Sequence, residues 1–138
     1  LHRLADTLGV KENVVFAGWI TSKKELARLL KISDVFLLTS LWEGLPRSLV
    51  EAVSSGLPVC AGAVDGVTDI ISDGETGLLH APFDVSVAAD NVEKILREPS
   101  FARRLAAAAS NKIDEQFDIR RMVRLQDDLY KNLVSSSD

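Results

Sequence analysis

Glu43 and Glu51 stand eight positions apart in the run Glu43-Gly44-Leu45-Pro46-Arg47-Ser48-Leu49-Val50-Glu51. The first carboxylate lies in a Gly/Pro turn, the second inside the helix that the turn opens. An apolar stretch, Val35-Phe36-Leu37-Leu38-Thr39-Ser40, leads in, and Pro58-Val59-Cys60-Ala61-Gly62 follows the helix. A strand–turn–helix–strand unit of this kind aims the helix N-terminus and its unpaired N–H groups beyond the strand ends, which favours a phosphate there. Carboxylates repel that phosphate, so they suit neutral hydroxyls on either side of it. A phosphate flanked by hydroxyl-bearing groups describes a nucleotide-sugar.

Those residues need a scaffold, and the rest of the chain supplies the pattern of one. Leu1 to Leu8 reads as the end of a helix closed by Gly9, and Val14 to Trp19 as a strand. Ser22-Lys23-Lys24-Glu25 is a capping box opening a helix with Leu26, Leu29 and Leu30 on its apolar face. The helix after the Gly/Pro turn runs from Pro46 to Ser55 and closes at Gly56, with Pro at the start and Gly past the end as usual. Val67 to Ser72 reads as a short helix and Gly77 to His80 as a last short strand. Beyond that the chain is helical: one helix capped by Asp84 and stopped at Pro99, another from Ser100 through Ala109, and a terminal helix. The terminal helix is expected to bury the stripe Ile119, Met122, Val123, Leu129, Tyr130 and Leu133. Short apolar strands alternating with helices indicate an α/β fold, a Rossmann-like three-layer parallel sheet with a helical C-terminal third. The chain opens inside a helix with no strand before it, so it reads as truncated from a longer polypeptide.

Composition narrows the function classes. At 138 residues the chain is one domain at most, and a net charge of −4 argues against bulk nucleic-acid binding. No apolar run approaches the roughly 20 residues of a membrane span. The single cysteine, Cys60, lies in an apolar strand, so neither a disulfide framework nor a metal cluster is available. This describes a soluble domain of a reducing compartment, expected in the cytoplasm.

Five blocks in order now make a recognisable pattern. They are Val15-Phe16-Ala17-Gly18-Trp19, Ser33-Asp34-Val35-Phe36-Leu37-Leu38-Thr39-Ser40, Glu43-Gly44-Leu45-Pro46 with Glu51-Ala52, Gly56-Leu57-Pro58-Val59, and Asp73-Gly74-Glu75-Thr76-Gly77-Leu78-Leu79. Together they resemble the C-terminal, donor-binding domain of the retaining group 1 glycosyltransferases of the GT-B fold. The resemblance implies transfer of a hexosyl group from a nucleoside-diphosphate sugar substrate to an acceptor, with no metal or cofactor, in a cleft against an N-terminal acceptor domain that is absent here. It implies that Glu51 accepts hydrogen bonds from the donor's ribose diol, and that Glu43 faces the hydroxyls of the transferred sugar as the catalytic carboxylate. It further implies that N–H groups near Gly44, Leu45 and Arg47 cradle the distal phosphate, and that Gly18-Trp19-Ile20 meets the base. The family's first strand and its Gly-Arg…Lys loop would precede Leu1. Where relatives often read Gly-Gly-x-Pro-Glu, this chain reads Asp65-Gly66-Val67-Thr68-Asp69, which adds a negative charge near the phosphate region.

Plainer readings stand beside these. Glu51 also fits a solvent-facing carboxylate paired with Arg47, and Glu43 a turn residue complementing the helix dipole. Arg47 suits phosphate or a surface ion pair equally. Trp42 suits the sugar site or an exposed loop, and Trp19 is expected to finish the core rather than lie under the base. His80 reads as a strand-end residue with ordinary partners. Arg120, Arg121 and Arg124 fit anionic lipid at a membrane surface, a neighbouring domain, or most simply a solvated helix face. Two other functions share the pattern: a GT-B nucleotide-sugar epimerase, and a non-catalytic nucleotide-binding or interaction domain. These residues alone are expected not to catalyse transfer, and sugar transfer by the isolated chain in a turnover assay would contradict that.

Overall fold

The computed structural model describes residues 1–113 and 117–135. Three parallel strands form one sheet, β1 (Phe36–Leu38), β2 (Val59–Gly62) and β3 (Leu78–His80), in the order β1-β2-β3. Phe36 pairs with Val59 and Leu38 with Ala61, while Cys60 pairs with Leu78 and Gly62 with His80. Around the sheet run α1 (His2–Thr7), α2 (Lys23–Ile32), α3 (Arg47–Ser54), α4 (Val85–Arg97), α5 (Pro99–Lys112) and α6 (Ile119–Ser135). The α/β, Rossmann-like class and the helical C-terminal third are as the sequence indicates.

The central strand explains the layers. All four residues of β2 are buried, so it needs cover on both faces, and its side chains alternate between them. Val59 and Ala61 pack with Leu49 and Val53 of α3, with Val67, Ile70 and Ile71, and with Ala109 of α5. Cys60 packs the other way, with Leu78, Ile95 of α4, and Ala102 and Leu105 of α5. The Cys60 thiol donates to the carbonyl of Ala88 at 3.8 Å, tying α4 to the strand.

Local signals place the helix ends well. Ser22 Oγ accepts from the N–H of Glu25 at 3.3 Å, and Asp84 Oδ1 from that of Val87 at 3.1 Å. Pro99 ends the approach from α4 and opens α5 at its first position. Gly56 adopts φ +79°, and the N–H groups of Gly56 and Leu57 return to the carbonyls of Val53 and Ala52 at 2.9 and 3.1 Å. That is a Schellman closure, and it turns the chain from α3 into β2.

Four expectations fail, three of them because a segment finds no partner surface. Val14 to Trp19 is extended but joins no ladder, because a strand needs a neighbour and β1 pairs only with β2. Val15 and Trp19 are 90% and 91% exposed, so Trp19 does not finish the core. Val67 to Ser72 is a pair of overlapping turns rather than a helix, with Thr68 and Ile71 bonded back to Val64 and Val67 at 3.1 and 2.8 Å. The terminal stripe forms its helix, α6, yet Ile119, Met122, Val123, Leu129, Tyr130 and Leu133 are all exposed. Periodicity makes an amphipathic helix, but burial needs an opposing surface.

Two measurements check this packing. Leu49→Ala should cost about 2–5 kcal/mol in chemical denaturation, as for a fully buried leucine truncated to leave a cavity. Burial pushes the Cys60 thiol up from 9.0 to about 11. Its alkylation by iodoacetamide at pH 8 should therefore be roughly 100-fold slower in the native protein than in urea, because the thiolate is the nucleophile. The native rate should keep climbing with pH beyond 9, where an ordinary thiol levels off; equal native and unfolded rates would contradict the burial.

Candidate functional site

Because the strands are parallel, their carboxyl ends lie on one edge, and the loops after β1, β2 and β3 leave from it. The loop after β1 carries Trp42, Glu43, Gly44, Leu45 and Pro46 and delivers the chain to α3. On α3, Leu49, Ala52 and Val53 face the core while Arg47, Ser48 and Glu51 face out. Glu51 lies about 7 Å along the axis from Pro46 at 1.5 Å per residue, roughly the length of a diphosphate. Glu43 is half-buried and Glu51 exposed.

Pro46 caps the helix with its carbonyl, which accepts from Leu49 and Val50 at 3.0 and 3.2 Å. Among the described residues no hydrogen bond engages the N–H groups of Gly44, Leu45, Arg47 or Ser48. The first turn carries no acidic residue either, so nothing in it offsets the partial positive charge of those amides. Ser48 joins the three donor positions expected from the sequence. Arg47 and Glu51 share the outer face one turn apart, but among the described residues they form no ion pair.

The loop after β2 lies against the loop after β1 with almost nothing between the backbones. A Cβ on Gly62 would stand 3.1 Å from the carbonyl oxygen of Ser40 and 3.7 Å from His80 Cε1. A Cβ on Gly66 would fall 1.8 Å from the carbonyl oxygen of Gly44. Asp65 and Asp69 of this loop are exposed.

The other sequence candidates differ in their relation to this cluster. Gly18, Trp19 and Ile20 sit on the unpaired extended segment, with Gly18 at φ +64°, and make no hydrogen bond to residues 43–51. Trp42 is exposed beside Glu43. His80 is only 6% exposed, and its Nδ1 lies 2.9 Å from the carbonyl of Ala81. Its Nε2 is buried with no partner among the described residues, so the expectation of ordinary partners holds for one ring nitrogen only. A groove of about 660 Å³ opens on the α4 side of the sheet, lined by Leu37, Thr39, Leu41, His80, Val92 and Leu96 among others. It contains neither Glu43 nor Glu51 and offers few donors, which makes it a poor diphosphate site. Among the described residues no cluster of His, Cys, Asp and Glu could hold a metal ion.

This geometry can be set beside known proteins. The family model described as glycosyl transferases group 1 matches residues 1–112. The chain belongs to that family. N-acetyl-alpha-D-glucosaminyl L-malate synthase of Bacillus anthracis is 28% identical over 132 residues, covering 96% of this chain and 34% of that protein. Sucrose-phosphate synthase from Thermosynechococcus elongatus superposes with a TM-score of 0.89 at 27% identity, over 98% of this chain and 34% of that one. The Anabaena protein HepE, solved in complex with UDP-glucose, has the same fold, with a TM-score of 0.82 at 24% identity over 97% and 35% of the two chains. The chain thus spans about a third of the length of the relatives it matches. It is a GT-B glycosyltransferase fold, and the turn with its two carboxylates falls inside the matched region.

Sequence reasoning named the carboxylates and the amides but not the backbone support beneath them. The signal was present, since Gly62 and Gly66 bracket the end of a strand, yet which loop they meet is not written locally. Because Glu51 is exposed and forms no ion pair among the described residues, Glu51→Ala should change unfolding free energy by no more than about 0.5 kcal/mol. A loss comparable with that of Leu49→Ala, measured by the same denaturation, would mean that the carboxylate is structural.

Proposed function

We propose that this chain is the donor-binding part of a retaining glycosyltransferase, which transfers a hexosyl group from a nucleoside-diphosphate sugar to an acceptor. The observation that carries the reading is the stretch of unengaged amides at Gly44, Leu45, Arg47 and Ser48, bounded by Glu43 on one side and Glu51 on the other. Membership of the group 1 family and the solved HepE complex support a nucleotide-sugar as the ligand. Residues 1–138 form part of one C-terminal domain in this reading, and the acceptor is held elsewhere in a longer protein.

Each group has a task that its charge suits. Glu51 accepts hydrogen bonds from the ribose diol, and Gly18-Trp19-Ile20 meets the base. The amides at the start of α3, with the Arg47 guanidinium beside them, grip the diphosphate. Breaking the sugar–phosphate bond leaves added negative charge on the diphosphate and oxocarbenium character on the sugar. Fixed N–H donors stabilise the first, and the Glu43 carboxylate, close to the sugar hydroxyls, stabilises the second. These groups supply the stabilisation without a metal or cofactor. No helix of the described residues is long and apolar enough to cross a membrane, and the buried thiol of Cys60 suits a reducing compartment, so we place the protein in the cytoplasm.

Calorimetric titration of the full-length protein with UDP-, GDP-, ADP- and dTDP-sugars tests the reading. One class should bind, and Glu51→Ala should weaken it about 10- to 100-fold, the loss expected for hydrogen bonds to a charged group. Glu43→Gln should lower kcat with little change in affinity for the free nucleoside diphosphate. Residues 1–138 alone should show no transfer. Absence of binding for every class, or binding indifferent to Glu51→Ala, would rule the assignment out. Free epimerised sugar as the product would point instead to an epimerase, and binding without any turnover to a non-catalytic domain.

A further inference from the structure

We infer that Gly66, which lies on neither carboxylate segment, is a positioning residue for the Glu43 turn, holding it where the donor's sugar is read. The inference rests on the donor-site reading above and adds to it a residue that contributes no side chain at all. Gly66 is buried, and its backbone has φ +75°, a conformation that L side chains rarely adopt. More decisive is what it touches. A Cβ built there would stand 1.8 Å from the carbonyl oxygen of Gly44, 2.6 Å from its carbonyl carbon and 3.2 Å from the carbonyl oxygen of Glu43. Real Cβ atoms essentially never approach closer than 3.0 Å, so any side chain at 66 must displace that peptide, or the loop, by more than an ångström. The atoms in the way are backbone, and a rotamer change does not clear them.

The displacement would act on one half of the site. Glu43 and Gly44 sit in the turn that Gly66 touches. Glu51 sits on α3, where Ala52 is buried and Leu49 and Val53 are held by Val59 and Ala61 of β2 as well as by Val67, so the helix does not depend on the loop after β2 alone. Filling position 66 therefore shifts the sugar-facing carboxylate and the Gly44 amide while leaving the ribose-facing carboxylate in place. Gly62, the last residue of β2, makes a similar approach, where an added Cβ would press on the carbonyl oxygen of Ser40 at 3.1 Å, so the backbones come close at both Gly62 and Gly66. The loop after β2 thus contributes to the site by its lack of side chains. Its acids, Asp65 and Asp69, are exposed.

Other glycines of this chain separate the contact from backbone strain. Gly74 has φ +73° and Gly56 φ +79°, and a Cβ on either meets nothing within 4 Å. Gly74→Ala carries the conformational cost of Gly66→Ala without its collision. In the full-length protein, affinities for UDP and UDP-glucose should be measured for wild type, Gly74→Ala and Gly66→Ala, with the GDP and GDP-mannose pair used if wild type prefers it. Relative to Gly74→Ala, Gly66→Ala should weaken the nucleoside diphosphate by no more than about tenfold, the loss of the one shifted Gly44 amide, because the Arg47 and Ser48 amides and Glu51 on α3 stay in place. It should lose the extra affinity conferred by the sugar, and kcat/KM should fall on the order of 100-fold, the scale of an ångström misplacement. Equal loss of both ligands in Gly66→Ala, or a Gly66→Ala that matches Gly74→Ala throughout, overturns the inference alone. A wild type that binds neither pair overturns the donor-site reading and this inference with it.

Discussion

The burial of one side of α3 is the constraint on which the site depends. Leu49 and Val53 lock into the core formed with Val59, Ala61 and the 67–71 turns, with Ala52 buried beside them. A helix of 3.6 residues per turn that buries those positions has no choice about the others. Arg47, Ser48 and Glu51 must face out, and the free N–H groups of the first turn must point past the end of β1. The chemistry proposed for this chain is therefore a by-product of core packing. The same apolar contacts that stabilise the domain hold donors and a carboxylate in fixed register, so little is spent on ordering them when a ligand arrives.

The site then divides into a rigid half and a supported half. Glu51 belongs to a helix closed at its far end by the Gly56 turn, with the chain returning directly into the fully buried strand β2. Glu43 belongs to a loop with no hydrogen-bonded cap of its own, since Pro46 offers only its carbonyl. What steadies that loop is backbone contact from the next strand's loop at Gly62 and Gly66. On the proposed reading, an arrangement of this kind suits a ligand with two ends: a common end held by the rigid half and a variable end held by the half that loop sequence can retune.

Legibility differed sharply between segments. Caps and closures at Ser22, Asp84, Gly56 and Pro99 lay where the sequence indicated, because each depends on residues within one turn of one another. The buried strand β2 was equally plain, since a short apolar run between a helix-ending glycine and a turn has few alternatives. The extended segment 14–19 carried the composition of a strand and failed to be one, and α6 carried the periodicity of a buried helix and stayed exposed. In both cases the local signal was correct about the backbone and silent about the partner. Trp19 shows the limit most clearly, being a large aromatic that composition assigns to the interior and that lies almost wholly in solvent.

By itself, then, the amino-acid order determined the alternation of strands and helices, the helix ends, and the spacing that sets Glu43 and Glu51 on either side of a helix start. These follow from short-range sterics and hydrogen bonding. Only the tertiary structure decided which segments find a surface to pack on, that His80 buries a nitrogen with no partner among the described residues, and that Gly66 rests against the Gly44 peptide. Pairing, burial and close approach join residues distant along the chain. No local pattern encodes the free energy of contacts whose other half lies 20 or more residues away.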